Sequence, residues 1–100
     1  MITEAKQCPF CMQTAKASPH DRGNNHLFNC GKCGEFLINR RALEWLSEGK
    51  FANRKSTFLK VIKTTPPDHL TYIQRRSLPQ GGETVHDVFA EHVQVKALNL

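Results

Sequence analysis

A chain of 100 residues, 39% apolar and 23% charged, is enough for one small domain with a modest core. It has no run of eighteen apolar residues, and its opening Met1-Ile2-Thr3-Glu4-Ala5-Lys6-Gln7 has no apolar signal-peptide stretch. These features argue against a membrane-spanning or exported protein and predict a cytoplasmic one. The formal charge of +5 at pH 7 is uneven: residues 34–65 hold Arg40, Arg41, Lys50, Arg54, Lys55, Lys60 and Lys63 against three acids, whereas residues 79–100 hold Lys96 against Glu83, Asp87 and Glu91.

All four cysteines fall in two pairs, Cys8-Pro9-Phe10-Cys11 and Cys30-Gly31-Lys32-Cys33. Two residues between cysteines let one tight turn aim both sulfurs at a single ion. Four soft, charged thiolates match the tetrahedral preference of Zn²⁺. Two pairs at this separation form a recognised zinc signature. Three other readings compete with it. Two disulfides would need an oxidising compartment. A redox pair of the thioredoxin type would need a helix after Cys11, which the sequence does not suggest. An iron centre uses the same ligands, but electron carriers of that kind are usually acidic. One structural Zn²⁺ held by Cys8, Cys11, Cys30 and Cys33 is the expectation. Four protein thiolates fill its shell and leave no position for substrate or water, so chemistry at the metal is not expected.

The first turn continues into Met12 and the second into Gly34, where glycine suits the left-handed backbone such turns often adopt. Residues 13–18, 26–29 and 35–39 read as three short strands, with Phe36 and Ile38 on one face. Pro19-His20-Asp21-Arg22-Gly23-Asn24-Asn25 between them is dense in turn formers. His20 and His26 are surplus to a shell filled by sulfur and read as turn or surface residues. His69, His86 and His92 have no ligand spacing.

Residues 39–48 read as a helix capped by Asn39 and ended by Gly49, with Ala42, Leu43, Trp45 and Leu46 on its apolar face. Trp45 is assigned to packing, with base stacking as the alternative. Residues 53–64, with Asn53 as cap, carry Phe58, Leu59, Val61 and Ile62 in a helical stripe, and Pro66 stops them. Residues 67–76 suggest a third helix with proline and an acid in its first turn. Residues 78–82 form a loop. Thr84 to Asp87 resembles a capping box ahead of Val85, Val88, Phe89 and His92 at helical spacing, although the alternation over 93–97 also fits a terminal strand. The helices around 65–68 admit a helix-turn-helix, with Tyr72, Gln74, Arg75 and Arg76 facing DNA and residues 79–83 as a wing tip. Simple packing of a helix pair is the competing reading.

The predicted fold is therefore α+β. A zinc ribbon of three short antiparallel strands spans 1–39, and three to four short helices spanning 40–100 pack on it as one compact unit. Residues 8–34, through the two cysteine turns, resemble the zinc ribbon of four-cysteine zinc-ribbon proteins. The ribbon followed by a helix, by Leu59-Lys60-Val61-Ile62-Lys63, by Pro66-Pro67-Asp68-His69-Leu70-Thr71 and by Leu78-Pro79 also resembles the N-terminal region of bacterial and phage zinc-ribbon proteins. That second resemblance implies no defined activity. Zinc ribbons as a class serve nucleic-acid machinery and protein assemblies, so the resemblance implies an accessory role in such a system.

The sequence supports a non-enzymatic module binding nucleic acid through Arg40, Arg41, Lys50, Arg54, Lys55, Lys60, Lys63, Arg75 and Arg76. The alternative is an adaptor or small inhibitor that binds a protein partner, or a second copy of itself, through residues 84–100 with Val85, Val88 and Phe89 as anchors. No nucleophile and base, phosphate loop or acid pair indicates an enzyme or a small-molecule substrate.

Overall fold

The computed structural model describes residues 3–50 and 52–98. Residues 1, 2, 51, 99 and 100, which include the ends of the predicted ribbon and docking segment, lie outside the described residues. Six strands form one sheet in chain order: β1 (Glu4–Gln7), β2 (Thr14–His20), β3 (Asn25–Cys30), β4 (Gly34–Asn39), β5 (His69–Gln80) and β6 (Glu83–Gln94). Every neighbouring pair is antiparallel except β4 and β5. A parallel pair needs a long crossover. Here the crossover contains two α-helices, α1 (Arg40–Ser47) and α2 (Lys55–Lys63). No helix among the described residues is long and apolar enough to cross a membrane.

Residue alternation decides which side chains enter the core. In β2, Ala15 and Ala17 are buried while Thr14 and Lys16 are exposed, the period-two pattern of a half-buried strand. Ala17 pairs with Phe28, Phe28 with Phe36 and Phe36 with Thr71, so one row of inward residues crosses four strands. A second row joins Ile38, Ile73 and Ala90. Phe58 and Ile62 of α2, with Ala42 and Leu46 of α1, complete the same core cluster. Asn39 caps α1 by accepting the Ala42 N–H at 2.8 Å. The start of α2 departs from expectation. A 3₁₀ turn over Ala52–Arg54 precedes it, and no side chain caps it. Its other end is closed by hydroxyls: Thr65 Oγ1 donates to the Ile62 carbonyl at 2.7 Å and is 2.8 Å from the buried Thr71 hydroxyl.

The prediction of three to four helices after a three-stranded ribbon is overturned. Residues 67–76 and 84–93 are not helices: Pro67 and Asp68 form a turn, and the rest belong to β5 and β6, each twelve residues long. The helix-turn-helix reading falls with them: Tyr72, Gln74, Arg75 and Arg76 are strand residues, and residues 79–83 surround a hairpin turn. Gly81 and Gly82, with φ of 59° and 85°, form that two-residue turn. Both central residues are left-handed, a combination that suits glycine and matches the twist of the flanking strands. Thr71, Tyr72, Ile73, Val85, Val88, Phe89 and Val93 are β-branched or aromatic, which favours the pleated alternative. The helical spacing of Val85, Val88 and Phe89 is thus incidental. In a strand, Val88 faces the core, and Val85 and Phe89 face the other way.

Candidate metal centre

The turn between β1 and β2 carries Cys8 and Cys11, and the turn between β3 and β4 carries Cys30 and Cys33. Strand pairing in the same sheet brings the two turns together. The four sulfurs all lie within 4.8 Å of one another. Two approaches run between turns: 3.5 Å from Cys11 Sγ to Cys30 Sγ and 3.8 Å from Cys8 Sγ to Cys33 Sγ. A tetrahedral ion with metal–sulfur bonds of ~2.3 Å would need edges of ~3.8 Å, so the cluster fits one ion after small adjustments. Cys8, Cys30 and Cys33 are buried and Cys11 is partly exposed. The arrangement is consistent with a zinc-ribbon-like segment.

Backbone geometry serves the same end. In the first turn the Met12 N–H donates to the Cys8 carbonyl at 3.0 Å and the Cys8 N–H to the Gln13 carbonyl at 2.8 Å. Met12 takes φ of 66°, so it accepts the left-handed conformation that Gly34 takes at the equivalent place with φ of 110°. Gly34 has a second reason to lack a side chain. A Cβ there would lie 3.2 Å from Ile62 Cγ2 of α2.

The thiols sit in opposed electrostatic settings. Burial pushes Cys8 up, against the backbone amides of Cys11 and Phe10, which lower it. Burial likewise pushes Cys33 up, helped by Cys11 and Cys8. Burial also acts to raise Cys30, but the amides of Cys33 and Lys32 and hydrogen bonding with Cys11 and Cys8 bring it down to about 7. A divalent cation would resolve the conflict by stabilising all four thiolates, releasing protons as it binds.

The cluster is fastened to α2. Phe10, inside the first cysteine pair, packs edge-on against Phe36 at 5.2 Å and Phe58 at 6.2 Å. Gly34 sits under Ile62 in the second turn. Sequence reasoning passed over Phe10 as a link. Its only signal was a large aromatic residue within a cysteine turn. His20 and His26 lie outside the cluster. His20 Nε2 is 3.3 Å from the Ser18 hydroxyl, and burial lowers the half-buried His26.

The nine cations proposed for nucleic acid are dispersed. Arg40 and Arg41 line a cleft of about 180 Å³ with Asp21 and Tyr72. Lys50 and Arg75 both lie 4.8 Å from the centre of the Trp45 ring, and Lys50 pairs with Glu48. Arg76 pairs with Glu91 and covers Phe89. Lys55, Lys60 and Lys63 lie on α2, with Lys60 and Lys63 exposed. Of the three proposed anchors, Val88 is fully buried in the core, Phe89 is half-buried and Val85 is exposed.

Arg54 binds the edge strand. Its guanidinium donates to Asp87 Oδ1 at 2.6 Å and to the Val88 carbonyl at 2.9 Å. Burial acts to raise the Asp87 carboxyl, but the Arg54 hydrogen bond, the Val88 N–H and the Arg54 charge together lower it below 3.8. A lowered folded-state value means that the pair stabilises the protein above the ordinary carboxylate range. That contribution fades as pH falls below 3.8 and through the lowered value. The pair is partly exposed, so its electrostatic part is limited to about 0.5–1 kcal/mol. Urea unfolding of wild type and Asp87→Asn at pH 6 and at pH 2.5 is expected to show a gap that narrows in acid. A gap independent of pH would refute this assignment.

What the fold and site define is a six-stranded mixed sheet, bridged by two helices, with a four-cysteine candidate metal centre. Comparison of the chain with protein-family models, with curated proteins and with solved structures gives no match.

Proposed function

We propose that the protein is a non-enzymatic module of a reducing, cytoplasmic compartment. One structural Zn²⁺ holds the cysteine turns, and α2 is offered to nucleic-acid phosphates as part of a larger nucleic-acid-related system. The observation that carries this reading is the joining of the cysteine cluster to a cationic helix through Phe10 with Phe58 and Gly34 with Ile62. Residues 49–67 contain Lys50, Arg54, Lys55, Lys60 and Lys63 and no acid. The exposed side chains of α2 are Ser56, Thr57, Lys60 and Lys63, all hydrogen-bond donors. Among the described residues neither lysine is in an ion pair. Such a face suits phosphate contacts, which give affinity without much sequence preference and weaken with salt. Zinc is favoured over iron because the chain is basic, with a formal net charge of +5, whereas iron electron carriers with the same four ligands are usually acidic, and elemental analysis of natively purified protein separates the two.

The double substitution Lys60→Glu, Lys63→Glu is expected to weaken binding to duplex or single-stranded nucleic acid at least about tenfold and to reduce the salt slope by about two. Stability should fall by no more than about 2 kcal/mol, because both side chains are exposed and the cost is that of two acids in the last turn of α2, so binding is compared on folded protein. Wild-type binding that is undetectable at low salt would remove the nucleic-acid reading. One observation favours a protein partner instead. Leu78 and Val85, paired across the β5–β6 hairpin near its turn, are 42% and 38% exposed. That pair, with exposed Val95, gives the proposed 84–100 docking region and its neighbourhood apolar surface to meet another protein.

A further inference from the structure

The four sulfurs are not equally accessible. Cys8, Cys30 and Cys33 are at most 5% exposed, whereas Cys11 is partly open to solvent. Cys30 Sγ, in the other turn, lies 3.5 Å from Cys11 Sγ. Both turns bear directly on α2. Phe10, adjacent to Cys11, meets Phe58, and the turn that begins at Cys30 ends at Gly34 beneath Ile62. Phe58 and Ile62 are the two buried side chains of α2. Whatever moves the turns therefore acts on the residues that seat this helix.

We propose that the cysteine cluster is an oxidant-sensitive latch: formation of a Cys11–Cys30 disulfide expels the metal and unseats α2 from the sheet. The proposal rests on the structural-metal reading and is independent of the nucleic-acid partner. Hydrogen peroxide is the oxidant. The Cys11 thiolate attacks one peroxide oxygen, an S–O bond forms, the O–O bond breaks, and hydroxide leaves and takes a proton to become water. The Cys30 thiolate then attacks the Cys11 sulfenic sulfur. The S–S bond forms, the S–O bond breaks, and the departing oxygen leaves as a second water after protonation. Two thiolates are oxidised, one peroxide is reduced to two waters, and two protons come from solvent. The metal keeps two of its four protein ligands and dissociates.

The coupling to α2 follows from packing. The two sulfurs must close from 3.5 Å to bonding distance and adopt the restricted torsion of a disulfide, so the turns have to shift. A close-packed interior does not absorb such a shift, and Phe10 carries it to Phe58. The β5–β6 hairpin and α1 make no part of either cysteine turn and keep their own pairing and cap.

The experiment uses full-length protein loaded with one equivalent of zinc and treated with hydrogen peroxide. Metal release is followed with a chromogenic chelator, disulfides are mapped by mass spectrometry, and amide hydrogen exchange is read by peptide. The expected result is one zinc released per Cys11–Cys30 disulfide formed. Exchange over residues 55–63 should quicken about tenfold or more while residues 69–94 change little, and reductant plus zinc should restore both. In Phe58→Leu, release should be unchanged but the quickening over 55–63 smaller. A first disulfide within a turn, between Cys8 and Cys11 or between Cys30 and Cys33, would overturn the proposal. So would zinc loss with no change over 55–63, or uniform quickening across the chain. Protein that binds no zinc at all would overturn the metal reading itself, and the latch with it.

Discussion

Cys8→Ser is expected to abolish stoichiometric metal binding and to cost the fold at least about 3 kcal/mol, the largest loss for any single ligand change. Cys8 is fully buried and lies 3.8 Å from Cys33 Sγ, in a cluster where burial already opposes ionisation. A serine hydroxyl at this place is a poor ligand for a thiophilic ion and a buried polar group in want of a partner. Structural zinc contributes about 10–16 kcal/mol of apparent binding free energy in small zinc modules, and a chain this short has little else to replace it. Elemental analysis and thermal melts with and without EDTA check the prediction. EDTA should lower the wild-type melting temperature by an amount comparable to the substitution and leave Cys8→Ser nearly unmoved. A wild-type melt indifferent to EDTA would show that packing alone holds the turns. The same linkage predicts weaker metal binding in acid, because protons compete for the thiolates that the ion needs.

Phe36→Ala is expected to destabilise by about 3–5 kcal/mol, enough to unfold a large share of a small domain at 37 °C. Phe36 has no exposed surface. Its ring stacks on Phe28 at 5.3 Å and meets the edge of Phe10 at 5.2 Å. Its backbone pairs with Phe28 on β3 and Thr71 on β5, at the seam where the antiparallel ribbon strands join the parallel strand. Truncation would leave a cavity under both the cysteine turn and α2, so metal affinity should fall as well. Leu78→Ala, at the exposed hairpin tip, should change stability by less than about 0.5 kcal/mol. Urea unfolding of both variants makes the test. Equal losses would mean that the core is not centred on the aromatic stack.

The cysteine cluster and the strands β2, β3 and β4 were legible because their signals are local, whereas β1 was missed because Glu4-Ala5-Lys6-Gln7 carries no apolar alternation. Two-residue spacing between cysteines suffices to make a ligand turn, and Phe36 and Ile38 announce a strand within six residues. Asn39 as the cap of α1 was readable for the same reason. The region after residue 66 was misread because its evidence conflicted. Val85, Val88 and Phe89 fit a helical stripe, while Gly81-Gly82 between β-branched runs fits a hairpin. The hairpin won because β5 could pair with β4 on one side and β6 on the other, a gain that no helix at residues 69–80 could match.

The dispersal of the cations was likewise invisible to sequence. Arg54 and Lys60 lie six residues apart, yet one binds Asp87 thirty-three residues away and the other faces solvent. By itself the amino-acid order determined the four candidate ligands, their pairing into two turns and the acid-free stretch from 49 to 67, because spacing and composition need no partner to be read. Only the tertiary structure decided that a single sheet joins both halves of the chain, that Phe10 and Gly34 lock the cysteine turns to α2, and that Val88 belongs to the core. Those outcomes depend on which distant strands pair, and pairing energy is realised only when the whole sheet has assembled.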